Sequence, residues 1–242
     1  MSNKLWLEIV VPVFNEEKVL AKNINTLTSY CKENFSKKNY QIIIADNGSY
    51  DATAKIGQKL AKSLNIKYLR IAKKGRGGAL VDCWSKSKSE IISYMDVDLS
   101  SNLNYFPKLI SAVEKGADLA IGSRLVTGSK VKGRTFLREA MSRTYNTVVR
   151  LAFFVSFHDA QCGFKVLKRN VFMKILPVIK NRNWFFDSEL LIIAEKAGFK
   201  LKEIPIVWHD NPSSTVKVAK TATEDLNGLV KLFIKRPWQL LK

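Results

Sequence analysis

The stretch LEIVVPVFNEE, Leu7 to Glu17, decides the fold. Its run Leu7–Phe14 is apolar apart from Glu8 and does not alternate, which suits a strand buried on both faces. Asn15 follows as a helix N-cap, with Glu16 and Glu17 placed where the helix dipole favours acids. Val19, Leu20, Ile24, Leu27 and Cys31 then recur at helical spacing. A buried strand handing over to an amphipathic helix is the start of a βαβ unit.

The same alternation continues along the chain. Gln41–Ala45 reads as a second strand ending at the polar turn Asp46-Asn47-Gly48-Ser49. Helix Ala52–Ser63, strand Ile66–Ile71, the glycine-rich turn Lys74–Gly78 and helix Ala79–Ser87 follow. Strand Ile91–Met95 runs into Asp96-Val97-Asp98, and strand Asp118–Ile121 runs into Gly122-Ser123-Arg124. Strands separated by helices imply right-handed crossovers and an α/β fold with a mostly parallel sheet flanked by helices.

The second half is less regular. Leu137–Phe157 reads as a long helix, Gly163–Leu167 as a short strand, Asp187–Ala197 as a helix opened by an Asp cap, and Leu201–Trp208 as one strand. The tail Ala222–Leu241 is amphipathic, with Leu226, Leu229, Val230, Phe233 and Ile234 on one side. The expectation is a single catalytic domain over residues 1–218, with residues 219–242 as a basic C-terminal helix.

Composition bounds the function. The chain has 242 residues and 46% hydrophobic content, which excludes a disordered or fibrous protein. Cys31, Cys83 and Cys162 are scattered, with no CxxC pair, so neither a disulfide framework nor a zinc knot is expected. The N-terminus lacks the layout of a signal peptide, and no apolar run approaches the ~18 residues of a spanning helix. Forty Lys and Arg against 21 Asp and Glu give a formal charge of +19, which implies an anionic partner. The surplus is clustered: Lys59–Arg76 and Lys165–Arg182 contain no acid, and Lys130–Arg150 contains only Glu139.

In open α/β sheets ligands bind beyond the carboxyl ends of the strands. Those ends here carry Phe14-Asn15-Glu16, Asp46–Ser49, Lys74–Gly78, Asp96–Asp98 and Gly122–Arg124, which would form one polar rim. Asp96 and Asp98 stand two residues apart at a strand end, so one can hold a hard divalent cation while the other takes a sugar hydroxyl or a metal-bound water. The loop KKGRGGAL matches neither a P-loop nor G-x-G-x-x-G; it places Lys74 and Arg76 beside a close backbone approach.

VVPVFNEE, ADNGSYDAT, KGRGGAL, DVDLS, IGSR, QCGFKVLKR, WFFDSELL and EIPIVWHD stand in an order that resembles the family 2 glycosyltransferases. Within that family they look most like the dolichyl- and polyprenyl-phosphate glucose and mannose synthases. The resemblance implies a GT-A (Rossmann-like) fold, a nucleotide-sugar donor, Mg²⁺ or Mn²⁺, and a lipid-phosphate acceptor. It places Pro12, Val13, Phe14, Glu16, Asp46, Asn47, Lys74, Arg76 and Asp96 around the donor and Asp98 on the metal. Arg124, Arg138 and Ser142 would grip the acceptor phosphate, with Asp159 and Asp187 as further catalytic candidates. His209 is a candidate third metal ligand beside Asp96 and Asp98. Two departures stand out: Asn47 replaces the usual second Asp of the DDGS motif, and the late loop reads Asn211–Lys217 where a Gly-Ser-Lys run is usual.

UDP-glucose is the first expectation for the donor, with GDP-mannose as the alternative. The protein would work in the cytoplasm, held peripherally on the cytoplasmic face of an anionic membrane by its basic surface and tail. A soluble polysaccharide transferase is a second reading. Nucleic acid is disfavoured as a partner, because acids occupy the rim and aromatics do not interleave with the basic runs.

Overall fold

A computed structural model describes residues 5–71, 75–210 and 218–241. Strands β1 (Leu7–Val13), β2 (Tyr40–Asp46), β3 (Lys67–Arg70), β4 (Ile91–Met95), β5 (Leu119–Ser123), β7 (Phe164–Lys168) and β8 (Leu201–Pro205) form one sheet, in the order β3-β2-β1-β4-β7-β5-β8. Every pairing is parallel except those of β7, which runs antiparallel to both β4 and β5. The two remaining strands, β6 (Lys130–Lys132) and β9 (Val207–His209), make a small parallel ribbon.

The run of β1, apolar except for the buried Glu8, has the meaning its sequence suggests. Ile9, Val11 and Val13 enter one core with Leu20, Ile24 and Leu27 of helix α1 (Leu20–Phe35) and Phe106 and Leu109 of α4 (Phe106–Glu114). Val10 enters the opposite core with Trp84 of α3 (Arg76–Lys86), Phe172 of α6 (Arg169–Ile175) and Leu190 of α7 (Phe186–Lys196). Helix α2 (Thr53–Leu64) packs against α1, and α5 (Phe136–Phe153) joins the second core through Val149 and Phe153.

Several boundaries differ from those the sequence suggests. Asn15 is not a helix cap: it takes a left-handed φ of 56°, and α1 starts only at Leu20. The intervening loop is tied to the next strand-end loop instead. Asn15 N–H donates to Ser49 Oγ at 2.9 Å and Glu16 N–H to Thr53 Oγ1 at 2.7 Å. Asp187 does not cap α7 either, since Phe185 holds that position without a side-chain bond. The long helix stops at Phe153 because Phe154 turns left-handed at φ 51°. The single strand expected over Leu201–Trp208 breaks at Ile206, whose N–H bonds Ser123 O while its carbonyl accepts from Lys130. That break carries Trp208 out of the main sheet and over the rim.

The tail is helical from Val218 to Lys235 (α8), followed by a 3-10 turn at Pro237–Leu241. Leu229, Leu232 and Trp238 are buried in the same core as α7, while Leu226, Val230, Phe233 and Ile234 stay exposed. The apolar positions expected on one side are thus divided between core and solvent.

Candidate active site

The carboxyl ends of β1, β2, β4 and β5 bring Phe14–Glu16, Asp46–Ser49, Asp96–Asp98 and Ser123–Arg124 to one edge of the sheet. Because β7 is antiparallel, the segment entering it, Asp159–Gly163, reaches the same edge. Gly163 is required there: its carbonyl accepts Asp96 N–H at 3.1 Å, and a Cβ on Gly163 would overlap the Asp96 carboxylate.

At the β1–β2 end of this edge, Pro12 and Val13 close β1 opposite Ala45 and Asp46. The half-buried Phe14 ring meets Tyr50 edge-on, with centroids 5.7 Å apart. Asp46 is fully buried and engaged by the protein itself: Ser49 N–H donates to Oδ1 at 2.8 Å, and Tyr68 OH and Arg70 Nη1 donate to Oδ2 at 2.5 and 3.3 Å. Asn47 Oδ1 accepts Gly75 N–H at 2.8 Å, so the residue that departs from the DDGS pattern anchors the glycine loop. Lys74 and the Asn211–Lys217 loop lie outside the described residues.

Arg76, first residue of α3, is at the centre. Its Nη2 donates to Asp96 Oδ1 at 2.6 Å and its Nη1 lies 3.5 Å from Asp187 Oδ2. The guanidinium is flanked by the rings of Tyr94 and Trp184, at 5.2 and 5.1 Å from their centroids. Beneath it, Lys165 is only 1% exposed and donates to Asp187 Oδ1 at 2.6 Å, Tyr94 OH at 3.0 Å, Cys162 O at 2.7 Å and Ala160 O at 3.2 Å. Tyr94 OH also donates to Asp187. Burial alone would raise the Asp187 carboxyl, but Lys165 and Arg76 outweigh it and hold the group below the usual carboxylate range.

The carboxylates nearer the opening behave differently. Burial, reinforced by Asp98, Asp96 and Asp51, pushes Glu16 up to about 7. Asp96 is pushed up to about 6 by burial together with Asp98 and Asp187, against the pull of Arg76. Crowded acids of this kind are relieved by a cation. Among the described residues, however, no group of three His, Cys, Asp or Glu side chains is placed to hold a metal. Asp96, Asp98 and His209 do not form such a group: the backbone N–H of His209 donates to Ser100 O at 2.9 Å, and its side chain is exposed. Asp98 Oδ1 is bonded by Ser100 N–H at 3.0 Å. Two carboxylates fit a hard cation that completes its shell with diphosphate oxygens and water.

At the end of β5, Arg124 is held by Asp159. Its backbone N–H, Nε and Nη2 all donate to that carboxylate, at 2.9, 2.8 and 2.7 Å. Burial opposes the charge on Asp159, but this grip overrides it and keeps the group below its usual range. Arg124 also stacks on Trp208 at 5.0 Å. Trp208 Nε1 donates to Asp210 Oδ1 at 3.3 Å, and Asp210 Oδ2 pairs with Arg138 Nη1 at 3.2 Å. The two arginines singled out in the sequence are thus joined through Trp208 and Asp210. Ser142, one turn further along α5, has a buried Oγ with no hydrogen-bond partner.

Tyr94, Lys165, Trp184, Trp208 and Asp210 join the site without having been expected there. Lys165 leaves a signal in the sequence, a charge inside the apolar strand GFKVL. The roles of Trp184 and Trp208 depend on long-range packing and leave none.

Residues 8–176 match the family model of glycosyl transferase family 2. The chain belongs to that family. A dolichyl-phosphate beta-glucosyltransferase of Saccharomyces cerevisiae is 31% identical over 95% of this chain and 74% of its own length. Glycosyltransferase AglD of Haloferax volcanii is 28% identical over 97% of this chain, which spans only 37% of AglD. Among solved structures, glucosyl-3-phosphoglycerate synthase from Mycobacterium tuberculosis, in complex with Mn²⁺ and UDP-glucose, superposes with a TM-score of 0.71 at 12% identity, over 96% of this chain and 79% of that one. At that identity the likeness shows the fold alone, and this family 2 glycosyltransferase has the expected GT-A architecture: one α/β domain with a mixed, mostly parallel sheet flanked by helices. Among the described residues no helix is long and apolar enough to cross a membrane.

Proposed function

We propose that the protein transfers a hexose, with inversion, from a nucleotide sugar to a dolichyl or polyprenyl phosphate at a membrane surface, with UDP-glucose as donor. One observation carries the acceptor reading. Arg138, 31% exposed, follows directly on Phe136 and Leu137, which are 89% and 68% exposed. A cation beside two unpartnered apolar side chains suits a phosphate that carries a prenyl chain. A small soluble acceptor would need the first and not the second.

In this reading Asp96 and Arg76 orient the donor sugar and diphosphate, with Pro12, Val13, Phe14, Glu16 and Asn47 forming the nucleoside end and the buried Asp46 fixing its wall through Ser49, Tyr68 and Arg70. Asp98 and Asp96 hold Mg²⁺ or Mn²⁺, which when bound supplies charge neutralisation to the leaving diphosphate. The acceptor needs little help from a base: a phosphate monoester with a second pKa near ~6 is already ionised at neutral pH. One of its oxygens attacks the anomeric carbon as the bond to the nucleoside diphosphate breaks, inverting that carbon. Arg138 and Ser142 align the attacking phosphate, and Arg124, braced by Asp159 and Trp208, adds positive potential behind it.

The exposed apolar side chains of α5 and α8 support a peripheral location at a membrane surface, which this reading places on the cytoplasmic side. Val148 and Leu151 on α5 and Phe154 just after it are exposed, as are Leu226, Val230, Phe233 and Ile234 on α8. Arg143, Arg150, Lys231 and Lys235 lie on the same two helices. Basic side chains at an anionic surface contribute about 1 kcal/mol each. The assignment is tested by kinetics on Phe136→Ser and Arg138→Ala. Both should raise KM for polyprenyl phosphate, with only Arg138→Ala also raising KM for a short-chain phosphate. If neither changes the lipid KM, the acceptor does not bind at this wall.

A further inference from the structure

The C-terminal helix contributes a buried carboxyl that the proposed reaction leaves unused. Asp225 of α8 is 5% exposed, and its Oδ2 accepts Gln161 Nε2 at 2.7 Å. Its Oδ1 is buried with no hydrogen-bond partner. Burial, with smaller contributions from Glu224 and Asp187 and against the Gln161 bond, pushes the acid up to about 7. A half-satisfied buried carboxyl is expensive to keep for stability alone.

What the carboxyl holds explains its place. Gln161 belongs to the segment Asp159–Gly163, whose other residues each contact the site or its supports. Asp159 fixes Arg124. Ala160 N–H donates to Asn146 Oδ1 of α5 at 2.8 Å. The carbonyls of Ala160 and Cys162 receive Lys165, and Gly163 abuts Asp96. The segment is thus tied to α5 through Asn146 and to α8 through Asp225. Helix α8 is set at the required depth by Gly228, where a Cβ would overlap the Phe185 ring.

We propose that Asp225 is a positioning residue of the transferase site, acting through Gln161 to hold the segment 159–163 against Arg124, Lys165 and Asp96. The C-terminal helix is then part of the catalytic apparatus as well as a surface element. The proposal rests on the function given above for its kinetic part only. Releasing Gln161 frees the segment that sets three charged side chains, and displacements of about 1 Å at a reacting centre lower rates by as much as ~100-fold.

The test uses the full chain and four variants: Asp225→Ala, Asp225→Asn, Gln161→Ala and the double alanine. Hydrogen exchange without substrate is read across residues 159–163, with β2 as internal reference, followed by kcat and KM for donor and acceptor. Asp225→Ala and Gln161→Ala should each speed exchange in 159–163 and lower kcat about tenfold with KM changed less than about threefold. Asp225→Asn, which keeps an acceptor for Gln161, should restore both. The double variant should be no worse than either single. Unchanged exchange in Asp225→Ala, multiplying losses in the double variant, or an asparagine variant as impaired as alanine would overturn the proposal. If Asp225→Ala does not fold, Gln161→Ala and Asp225→Asn decide by the same readings. Exchange needs no turnover, so failure of lipid glycosylation would sink the proposed function and leave this result standing.

Discussion

Arg76 gives one arm of its guanidinium to Asp96 at 2.6 Å. The other arm is turned to Asp187 at 3.5 Å, so one side chain joins the D-x-D loop after β4 to the start of α7. Arginine suits this place because its planar fork serves two carboxylates at once and stacks between rings, as it does between Tyr94 and Trp184. The glycine loop matches no phosphate-binding motif, yet it has a definite role. It starts α3 where the first side chain of that helix enters the site.

Arg76→Lys keeps the charge and loses the fork. The loss of one charge-assisted hydrogen bond, about 1.5–3 kcal/mol, predicts a fall in kcat/KM of roughly 10- to 100-fold. Steady-state kinetics on a variant with unchanged circular dichroism checks this. A value within about twofold of the parent would show that bridging Asp96 and Asp187 is immaterial to the reaction.

Lys165→Met leaves Asp187 charged and buried without its ammonium. Breaking one side of such a pair costs about 3–5 kcal/mol, which urea unfolding measures directly. Lys165→Met combined with Asp187→Leu removes both charges and should recover much of that loss while remaining inactive. A single variant as stable as the parent would mean that the pair is not uncompensated when broken.

The pH dependence of stability has two limbs of opposite sign. Asp159 and Asp187 have depressed folded values, so their contribution is present above the usual carboxylate range near ~4 and is lost as pH falls through those lower values. Glu16 and Asp225 are raised to about 7, so the folded protein takes up protons between pH 7 and roughly 4.5 that the unfolded chain does not. Stability therefore rises as pH falls through that window. The Tm measured without added metal should peak near pH ~5 and decline on either side. A Tm that climbs steadily from about pH 5 to 8 contradicts this.

The exposed faces of α5 and α8 predict binding to anionic vesicles that weakens with salt. Debye screening shortens from about 10 Å at 0.1 M to 3 Å at 1 M, so sedimentation with vesicles should fall sharply across that range. Leu151→Glu and Ile234→Glu should reduce binding at low salt while leaving Tm within a few degrees. Binding unchanged by both salt and these variants would remove this face from any membrane role.

The sheet is legible in the sequence because β1, β2 and β4 are short buried strands ending at polar turns, and burial on both faces leaves an unmistakable apolar run. The gathering of Arg76, Asp96 and Asp98 at one edge of the sheet is legible for the same reason, since the ends of parallel strands collect there. Asn15 misleads because a local preference for capping loses to tertiary bonds with Ser49 and Tyr50. The break at Ile206 is invisible, as both halves of Leu201–Trp208 are good strand sequence and only their partners differ. In sequence Arg124 looks free to meet a phosphate, whereas its fork is already occupied by Asp159, a partner 35 residues away that spacing does not reveal.

The most direct test of the proposed function is transfer of radiolabelled sugar from UDP-glucose, GDP-mannose and UDP-GlcNAc to polyprenyl phosphate, with Mn²⁺ and with chelator. The expected result is organic-extractable label from UDP-glucose, dependent on metal and abolished by Asp98→Ala. No labelled lipid from any of the three donors, with label appearing instead on a water-soluble acceptor, would contradict it.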